Sequence, residues 1–313
     1  MKRFLQVFMV IALCISVAAA IGLWYALHHV LPYTAIRPYR IQLSDVQRRF
    51  GSENPLRDSG IQVEPFQFLT RDSLHLSAWY IPAKNPVGTV LVMHGISSSK
   101  EMSWSTILSY HKRNFAVVAY DSRAHGASEG LNATMGFYEK YDVTACIDHL
   151  QKNSICVLPL VVHGFSMGGA IALQSLEVEP RIQAAIVEGA FCNLRETLYD
   201  YSGELFKIRV KWLNDIIFRE AERIASFSVD EVRPEESLKR VRTPVLFIHG
   251  LEDEKISYHY AERNLQSLAS SDKELMLIPG GTHLNLGANS AKEIDAKIDA
   301  FLHRAVTSTN STR

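Results

Sequence analysis

The residues best suited to chemistry lie at 164–168, with the sequence Gly-Phe-Ser-Met-Gly. An apolar run over 160–163 precedes them, and a run of small and apolar residues over 169–173 follows. Strand, G-x-S-x-G and helix in this order are the context of a nucleophile elbow, a sharp turn that exposes a serine oxygen. The flanking glycines permit the close backbone approach that the turn needs. The pattern predicts Ser166 as a nucleophile at a helix N-terminus, where free N–H groups favour negative charge.

A serine hydroxyl needs a base, and the base needs a carboxylate that orients it. In the nucleophile-elbow arrangement the acid and then the histidine follow the serine along the chain. Asp253 comes shortly after the apolar run 245–248, and His283 shortly after the run 275–278. Both follow carboxyl ends of predicted strands, the edge where open α/β sheets place their sites. The alternative acids are Glu252, Glu254 and Glu188.

Other polar side chains near these edges have a structural and a functional interpretation. Ser97, Ser98 and Ser99 are typical of a loop that caps the following helix, although Ser97 is also placed to assist an oxyanion site. His125 lies in a loop near the same edge, where structural packing is the first interpretation and lining the pocket the second. The remaining histidines at strand ends are interpreted as structural: His94, His163 and His249.

Eight short apolar or β-branched runs alternate with helical stretches from about Gln62 onward. This alternation predicts βαβ units around a mostly parallel sheet. Residues 89–94 are apolar at nearly every position, which is typical of a strand covered on both faces. The first two runs lie close together and predict an antiparallel hairpin at the edge of the sheet. The runs are 66–69, 74–80, 89–94, 116–120, 160–164, 184–187, 244–249 and 274–278.

A longer interval separates the run that ends near Val187 from the run that starts at Pro244. Within it, apolar residues recur at i, i+3, i+7, i+8 and i+11, which predicts a helix with one apolar face. The simpler interpretation is that this face packs against the sheet. The functional interpretation is a small helical lid, at about 191–235, over an apolar pocket. The apolar positions are Leu205, Ile208, Trp212, Leu213 and Ile216.

The N-terminus carries an almost uninterrupted apolar run over 4–27, preceded by Lys2 and Arg3. The run is longer than the roughly 20 residues that cross a hydrocarbon core. Trp24 and Tyr25, at its far end, suit a membrane interface. We predict a single-pass membrane anchor with the catalytic domain on the non-cytoplasmic side, because a short basic tail resists translocation. The alternative is a signal peptide cleaved near the alanines at 18–20, which would give a secreted protein.

Composition excludes several classes of protein. The 33 lysines and arginines balance 33 aspartates and glutamates, so there is no basic field to hold nucleic acid. A hydrophobic fraction of 47% excludes a disordered chain. One of the four cysteines lies in the apolar run, and the other three have no metal-like pairing, so neither a disulfide framework nor a zinc site is predicted.

From about Gln62 to Arg304 the chain resembles the α/β-hydrolase superfamily, in particular serine hydrolases grouped with lysophospholipases, monoacylglycerol lipases and serine aminopeptidases. The matching segments are 94–97 (His-Gly-Ile-Ser), 121–130, 164–168, 244–250 with Asp253, and 281–283 (Gly-Thr-His). The resemblance implies Ser166 as the nucleophile, Asp253 as the acid and His283 as the base. It also implies an oxyanion hole formed by the backbone N–H groups of Ile96 and Met167. Ala124 departs from the pattern, since relatives often have glycine there.

The expected fold is an α/β-hydrolase fold with a mostly parallel eight-stranded sheet flanked by helices. The expected division is an anchor or signal peptide (1–31), a linker (32–61), the catalytic domain (62–304) and a flexible tail (305–313). The expected activity is hydrolysis of a carboxylic ester of a lipid-like or acylated small molecule through an acyl-enzyme, with no metal or organic cofactor. The alternatives are amide or thioester hydrolysis by the same triad, and a non-catalytic binding or scaffold protein, because function depends on the site.

Overall fold

The computed structural model describes residues 2–206, 210–287 and 290–310. An eight-stranded sheet with the order β1-β2-β4-β3-β5-β6-β7-β8 forms its centre. β2 pairs antiparallel with β1 and with β4, and the pairs from β4 through β3 to β8 are parallel. The predicted mostly parallel sheet and its edge hairpin are therefore confirmed. The strands are β1 (Glu64–Leu69), β2 (His75–Ile81), β3 (Thr89–Met93), β4 (Ala116–Tyr120), β5 (Leu160–Phe165), β6 (Ala184–Glu188), β7 (Val245–Gly250) and β8 (Lys273–Ile278).

Helices cover both faces of this sheet, and short 3-10 helices lie at Lys100–Ser103 and Val229–Glu231. β3 shows why the strands are apolar throughout: Leu91 and Met93 face one core cluster, while Val90 and Val92 face the other. The α-helices are α1 (Lys2–His29), α2 (Leu31–Ile36), α3 (Leu43–Phe50), α4 (Pro55–Asp58), α5 (Trp104–Lys112), α6 (Glu139–Lys152), α7 (Met167–Val178), α8 (Leu194–Phe206), α9 (Lys211–Ala225), α10 (Pro234–Leu238), α11 (His259–Ser267) and α12 (Ala291–Asn310).

α1 projects its apolar side chains away from the domain. It is long and apolar enough to cross a membrane, with a mean hydropathy of 2.6 over its most apolar stretch, and that stretch is not buried. Its last turns do contact the domain: Leu27 is buried in the main core, and His28 Nδ1 lies 2.9 Å from Glu220 Oε1 of α9.

The predicted linker, 32–61, is folded onto the catalytic domain. It contains α2, α3 and α4, and each buries an apolar side chain: Ile36, Val46 and Leu56. The guanidinium of Arg40 donates hydrogen bonds to the carbonyls of Ser128 (2.7 Å) and Gly130 (2.8 Å) in the loop that follows β4. The segment therefore holds the end of α1 at a defined place on the domain.

The interval between β6 and β7 forms a helical cap made of α8 and α9. The single helix predicted through 205–216 is wrong, because α8 ends at Phe206 and α9 begins at Lys211, with Val210 in an extended conformation between them. Ile208, one of the apolar positions of that prediction, lies outside the described residues. Ile217 and Phe218 of α9 are buried in the main core, so this helix packs on the domain through an apolar face.

Candidate active site

Ser166 occupies the turn between β5 and α7. Its backbone has φ +53° and ψ −117°, a conformation that L residues rarely adopt and that functional turns impose. A Cβ on Gly164 would lie 2.2 Å from the Gly168 carbonyl oxygen, and one on Gly168 would lie 2.3 Å from the Met93 oxygen. The two glycines of the motif are thus required by close backbone approach on both sides of the serine.

The structure brings Ser166, His283 and Asp253 into one hydrogen-bonded chain. His283 Nε2 lies 3.0 Å from Ser166 Oγ, and His283 Nδ1 lies 2.7 Å from Asp253 Oδ2. The three residues are 7%, 8% and 8% exposed, so they are screened from water without being sealed off. They come from the ends of β5, β7 and β8, three strands whose carboxyl ends share one edge of the sheet.

The Asp253 carboxylate accepts hydrogen bonds from three donors and faces a fourth polar group. Oδ1 accepts the backbone N–H groups of Lys255 (3.0 Å) and Ile256 (2.8 Å), while Oδ2 accepts His283 and lies 3.3 Å from His249 Nε2. Burial acts to raise the pKa of Asp253, but the hydrogen bonds from His249, His283 and Ile256 outweigh it and hold the pKa below its usual range. Asp253 is therefore ionised at neutral pH.

His249 is a site residue that the sequence reasoning assigned to structure alone. It is fully buried at the end of β7, and its Nε2–H donates to the Ile256 carbonyl at 2.8 Å while facing Asp253. The available signal was its spacing, because a histidine four residues before the acid lies across the same short loop. Its position makes it a support for the acid.

The predicted oxyanion donors lie on either side of Ser166. Met167 is the first residue of α7, and within the described part of the chain neither its N–H nor that of Ile96 has a hydrogen-bond partner. A Cβ on Gly95 would be 3.4 Å from the Ser166 Cβ, so the loop that carries Ile96 lies against the serine. The structure therefore leaves both N–H groups available as donors beside Ser166 within its described residues.

The loop that carries Ile96 is fixed at both ends. Ser97 has φ +52°, and its Oγ accepts the backbone N–H of Tyr39 at 3.2 Å. At the other end, the Asp121 carboxylate accepts the backbone N–H (2.8 Å) and Nζ (2.7 Å) of Lys100. The predicted side-chain cap is wrong: Ser99 is the N-cap of the 3-10 helix, but its hydroxyl makes no cap hydrogen bond.

The alternative acids occupy other positions. Glu252 and Glu254 are exposed on either side of the buried Asp253. Glu188 Oε1 lies 3.2 Å from Nε2 of His163, whose Nδ1 lies 2.7 Å from the Tyr110 hydroxyl. Asp253 is therefore the acid that the structure brings to His283.

The loop after β4 contains the departure from the family pattern and the alternative histidine. Ala124 has φ +63°, the left-handed conformation in which glycine costs nothing and alanine is strained. His125 is fully buried, its Nδ1–H donates to the Arg123 carbonyl at 2.9 Å, and its ring centroid is 5.0 Å from that of His94. His94 Nε2 in turn accepts the Ser122 N–H at 3.0 Å. Both rings therefore support the loop.

Comparison with known proteins gives consistent similarities. Residues 84–233 match the family described as serine aminopeptidase, S33. The chain is 28% identical to the uncharacterized protein YfhR of Escherichia coli K12, over 71% of this chain and 74% of that protein. It is also 28% identical to the uncharacterized membrane protein YNL320W of Saccharomyces cerevisiae, over 72% and 74% of the two chains. 

Among solved structures, the Pyrococcus furiosus esterase Pf2001 superposes with a TM-score of 0.68 at 22% identity. That superposition covers 86% of this chain and 99% of the esterase. The similarity thus includes most of this chain and nearly all of the esterase, so it concerns the fold. The chain has the α/β-hydrolase fold, and the matches together support an enzyme that is a hydrolase of the α/β type.

Proposed function

We propose that the protein is a serine hydrolase that cleaves carboxylic esters through an acyl-enzyme. The observation that carries the proposal is the hydrogen-bonded chain from Ser166 through His283 to Asp253, buried at the carboxyl edge of the sheet. A histidine between a serine and an ionised carboxylate is the arrangement that activates a serine oxygen. The backbone N–H groups of Ile96 and Met167 are the donors that we propose for the oxyanion of acyl transfer.

Asp253 determines the tautomer of His283 in this mechanism. Because its carboxylate accepts the Nδ1–H, the Nε2 lone pair points to Ser166 and accepts the serine proton as the oxygen attacks the ester carbonyl. The negative oxygen that forms is stabilised by the N–H groups of Ile96 and Met167, at the positive end of α7. His283 then returns the proton to the alcohol that leaves.

Hydrolysis of the acyl-enzyme uses the same groups in reverse. His283 takes a proton from water, the hydroxide attacks the acyl carbonyl, and the same N–H groups bind the oxyanion. When the intermediate collapses, Ser166 receives the proton and the acid product leaves. No step requires a metal or an organic cofactor.

The substrate we propose is a lipid-like or acylated small molecule. Ile96 and Leu284, the neighbours of the oxyanion site and of the base, are 44% and 75% exposed, so apolar surface borders the catalytic groups. Exposed apolar side chains at a site favour an acyl chain as ligand. The esterase whose structure is similar favours an ester over an amide or a thioester.

We also propose that α1 anchors the protein in a membrane, with the catalytic domain on the non-cytoplasmic side. The exposed apolar surface of α1, the membrane-protein relative in yeast and the basic residues Lys2 and Arg3 ahead of the run support this. Protease protection of sealed vesicles tests it. Full-length protein should resist extraction by carbonate and be digested only from the outer face. A soluble form beginning near Ile21 would indicate a cleaved signal peptide instead.

The experiment for the activity is labelling of the full-length protein with a fluorophosphonate, followed by mass spectrometry of the labelled peptide. We expect the label on Ser166, and we expect S166A to lose both the label and at least a thousandfold of ester hydrolysis, with its unfolding temperature unchanged. Ser154, an exposed serine that also has a positive φ, provides the matched control S154A. An unlabelled wild type without esterase activity would indicate a binding or scaffold protein.

A further inference from the structure

The junction between the apolar helix and the helical cap contains no flexible linker. Leu27 ends the apolar run over 4–27, yet it is only 5% exposed because it is part of the main core of the domain. The next residue, His28, lies 2.9 Å from Glu220 of α9. α2 begins at Leu31, two residues after α1 ends, and it packs on α9 as well.

This connection determines how near the cap lies to a bilayer that α1 crosses. Residues rise by about 1.5 Å along an α-helix, so the contact between His28 and Glu220 lies within a few ångströms of the end of the apolar run. The domain cannot move away from the end of α1 on a flexible linker, because Leu27 belongs both to the apolar run and to the core of the domain. If α1 crosses a bilayer, the Glu220 end of α9 therefore lies at the level of the lipid headgroups.

Three exposed arginines lie at this level. Arg219 and Arg223, one helical turn apart on α9, are exposed on either side of Glu220, and Arg223 Nε lies 2.8 Å from its carboxylate. The guanidinium of Arg37, just after α2, stacks 4.1 Å from the Tyr33 ring centroid. Basic side chains beside a membrane-spanning helix bind the phosphates of acidic lipids.

The same segment of chain leads from the membrane to the catalytic site. From His28 to Ile36 the chain is helical apart from Val30, and Tyr39 follows three residues later. The backbone N–H of Tyr39 donates a hydrogen bond to Ser97 in the loop that carries Ile96. At about 1.5 Å per helical residue and about 3.4 Å per extended residue, this path is at most about 24 Å long. The loop that carries Ile96 is thus tied to the end of α1 by a short, mostly helical segment.

We propose that α9, with Arg219 and Arg223, seats the catalytic domain on a bilayer surface that contains acidic phospholipid, and that the substrate is an acyl ester dissolved in this bilayer. The inference rests on the proposed esterase activity and on α1 as the anchor. The anchor supplies attachment, whereas α9 sets the orientation in which the site faces the lipid.

The test uses the full-length protein in phosphatidylcholine vesicles with and without about one third phosphatidylglycerol. The measured quantity is the rate with p-nitrophenyl palmitate, which partitions into the bilayer, divided by the rate with water-soluble p-nitrophenyl acetate. We expect phosphatidylglycerol to raise this ratio for the wild type. Reversing both charges in R219E/R223E should lower the ratio by about tenfold or more in the acidic vesicles, since each arginine near the surface contributes substantially.

The matched control is K112E/R242E, which reverses two exposed charges. Both lie beside the amino-terminal ends of strands, β4 and β7, whereas the candidate site lies at the carboxyl ends. This variant should keep the wild-type ratio. Equal ratios for the wild type and R219E/R223E in acidic vesicles would overturn the proposal.

If the wild type cleaves neither ester, the proposed activity fails. In that case hydrogen exchange tests whether α9 binds acidic lipid. Acidic lipid should slow exchange of the α9 amides in the wild type and not in R219E/R223E. Equal protection of the two proteins would refute the proposed binding of α9.

Discussion

The catalytic edge of the sheet and the junction of α1 with the cap hold their polar groups by different means. At the edge, buried backbone N–H groups and histidines surround Asp253, and Ser166 is placed by a strained turn between strand β5 and helix α7. At the junction, the polar contacts are partly exposed pairs that Glu220 makes with His28 and Arg223. Exposed pairs contribute at most about 1 kcal/mol, whereas buried ones are costly to break. We therefore expect enzyme activity to be sensitive to single atoms at the edge of the sheet. The stability of the junction should instead depend on the burial of apolar side chains.

The largest effect expected from a single atom is at Asp253. D253N keeps the shape of the side chain but no longer holds the Nδ1–H tautomer of His283, so kcat for a p-nitrophenyl ester should fall on the order of ten thousandfold. The exposed neighbours supply the matched controls: E252Q and E254Q should keep the wild-type kcat. A D253N enzyme with a tenth of the wild-type turnover would show that another acid orients the base.

A smaller effect is expected at His249, which supports the acid without touching substrate. H249L removes the donor that faces Asp253, and loss of a hydrogen bond to a charged group should lower kcat between about tenfold and a hundredfold with little change in KM. H249Q retains an N–H donor and should recover most of the loss. Wild-type kcat in H249L, in a protein that remains folded, would remove His249 from the catalytic edge.

The buried histidines beneath the edge make stability depend on pH. Burial lowers the pKa of His94 to about 4, and burial together with the neighbouring His94 lowers that of His125 to about 3. In the unfolded chain both titrate near pH 6.5, so the unfolded state binds more protons below that pH. The contribution of these two histidines to the free energy of unfolding should thus be constant above pH 7 and fall as the pH drops, by about 2 kcal/mol per histidine at pH 5.

Urea unfolding at pH 7.5 and pH 5 measures this dependence. H125N, which can still donate to the Arg123 carbonyl, should lose part of the decrease, because one of the two groups that take up protons on unfolding is absent. H259N removes an exposed histidine of α11 and should keep the full decrease. A decrease of the same size in H125N and the wild type would mean that His125 is not the group that titrates.

The smallest effect is expected at the junction. E220Q weakens its partly exposed pairs with His28 and Arg223 and should lower the free energy of unfolding by less than about 1 kcal/mol. The adjacent L27A removes buried apolar volume and should cost more, about 2–3 kcal/mol. Thermal unfolding in detergent compares the two. A larger loss of unfolding free energy in E220Q than in L27A would reverse the comparison. It would mean that ion pairs stabilise the junction more than apolar burial does.

Prediction from the sequence succeeded where the signal was local. The elbow at 164–168 requires glycines and a strand–helix change within a few residues, and the structure has each of them in that place. It failed in the cap, where periodicity joined residues of α8 and α9 into one helix. The spacing of apolar residues does not reveal that the helix is interrupted at Val210, because α8 and α9 both pack through apolar faces.

The sequence by itself determined the strand order along the chain, the apolar helix at the N-terminus and the candidates Ser166, Asp253 and His283. These depend on residue type and spacing, which are local properties. Residue type and spacing left Glu252 and Glu254 beside Asp253, which the resemblance favoured, and the tertiary structure shows that Asp253 reaches His283, since burial separates the three adjacent acids. It also decided that His249 supports the acid and that α1 ends against the cap. Contacts between residues distant in the chain depend on how strands and helices pack, and no local pattern encodes them.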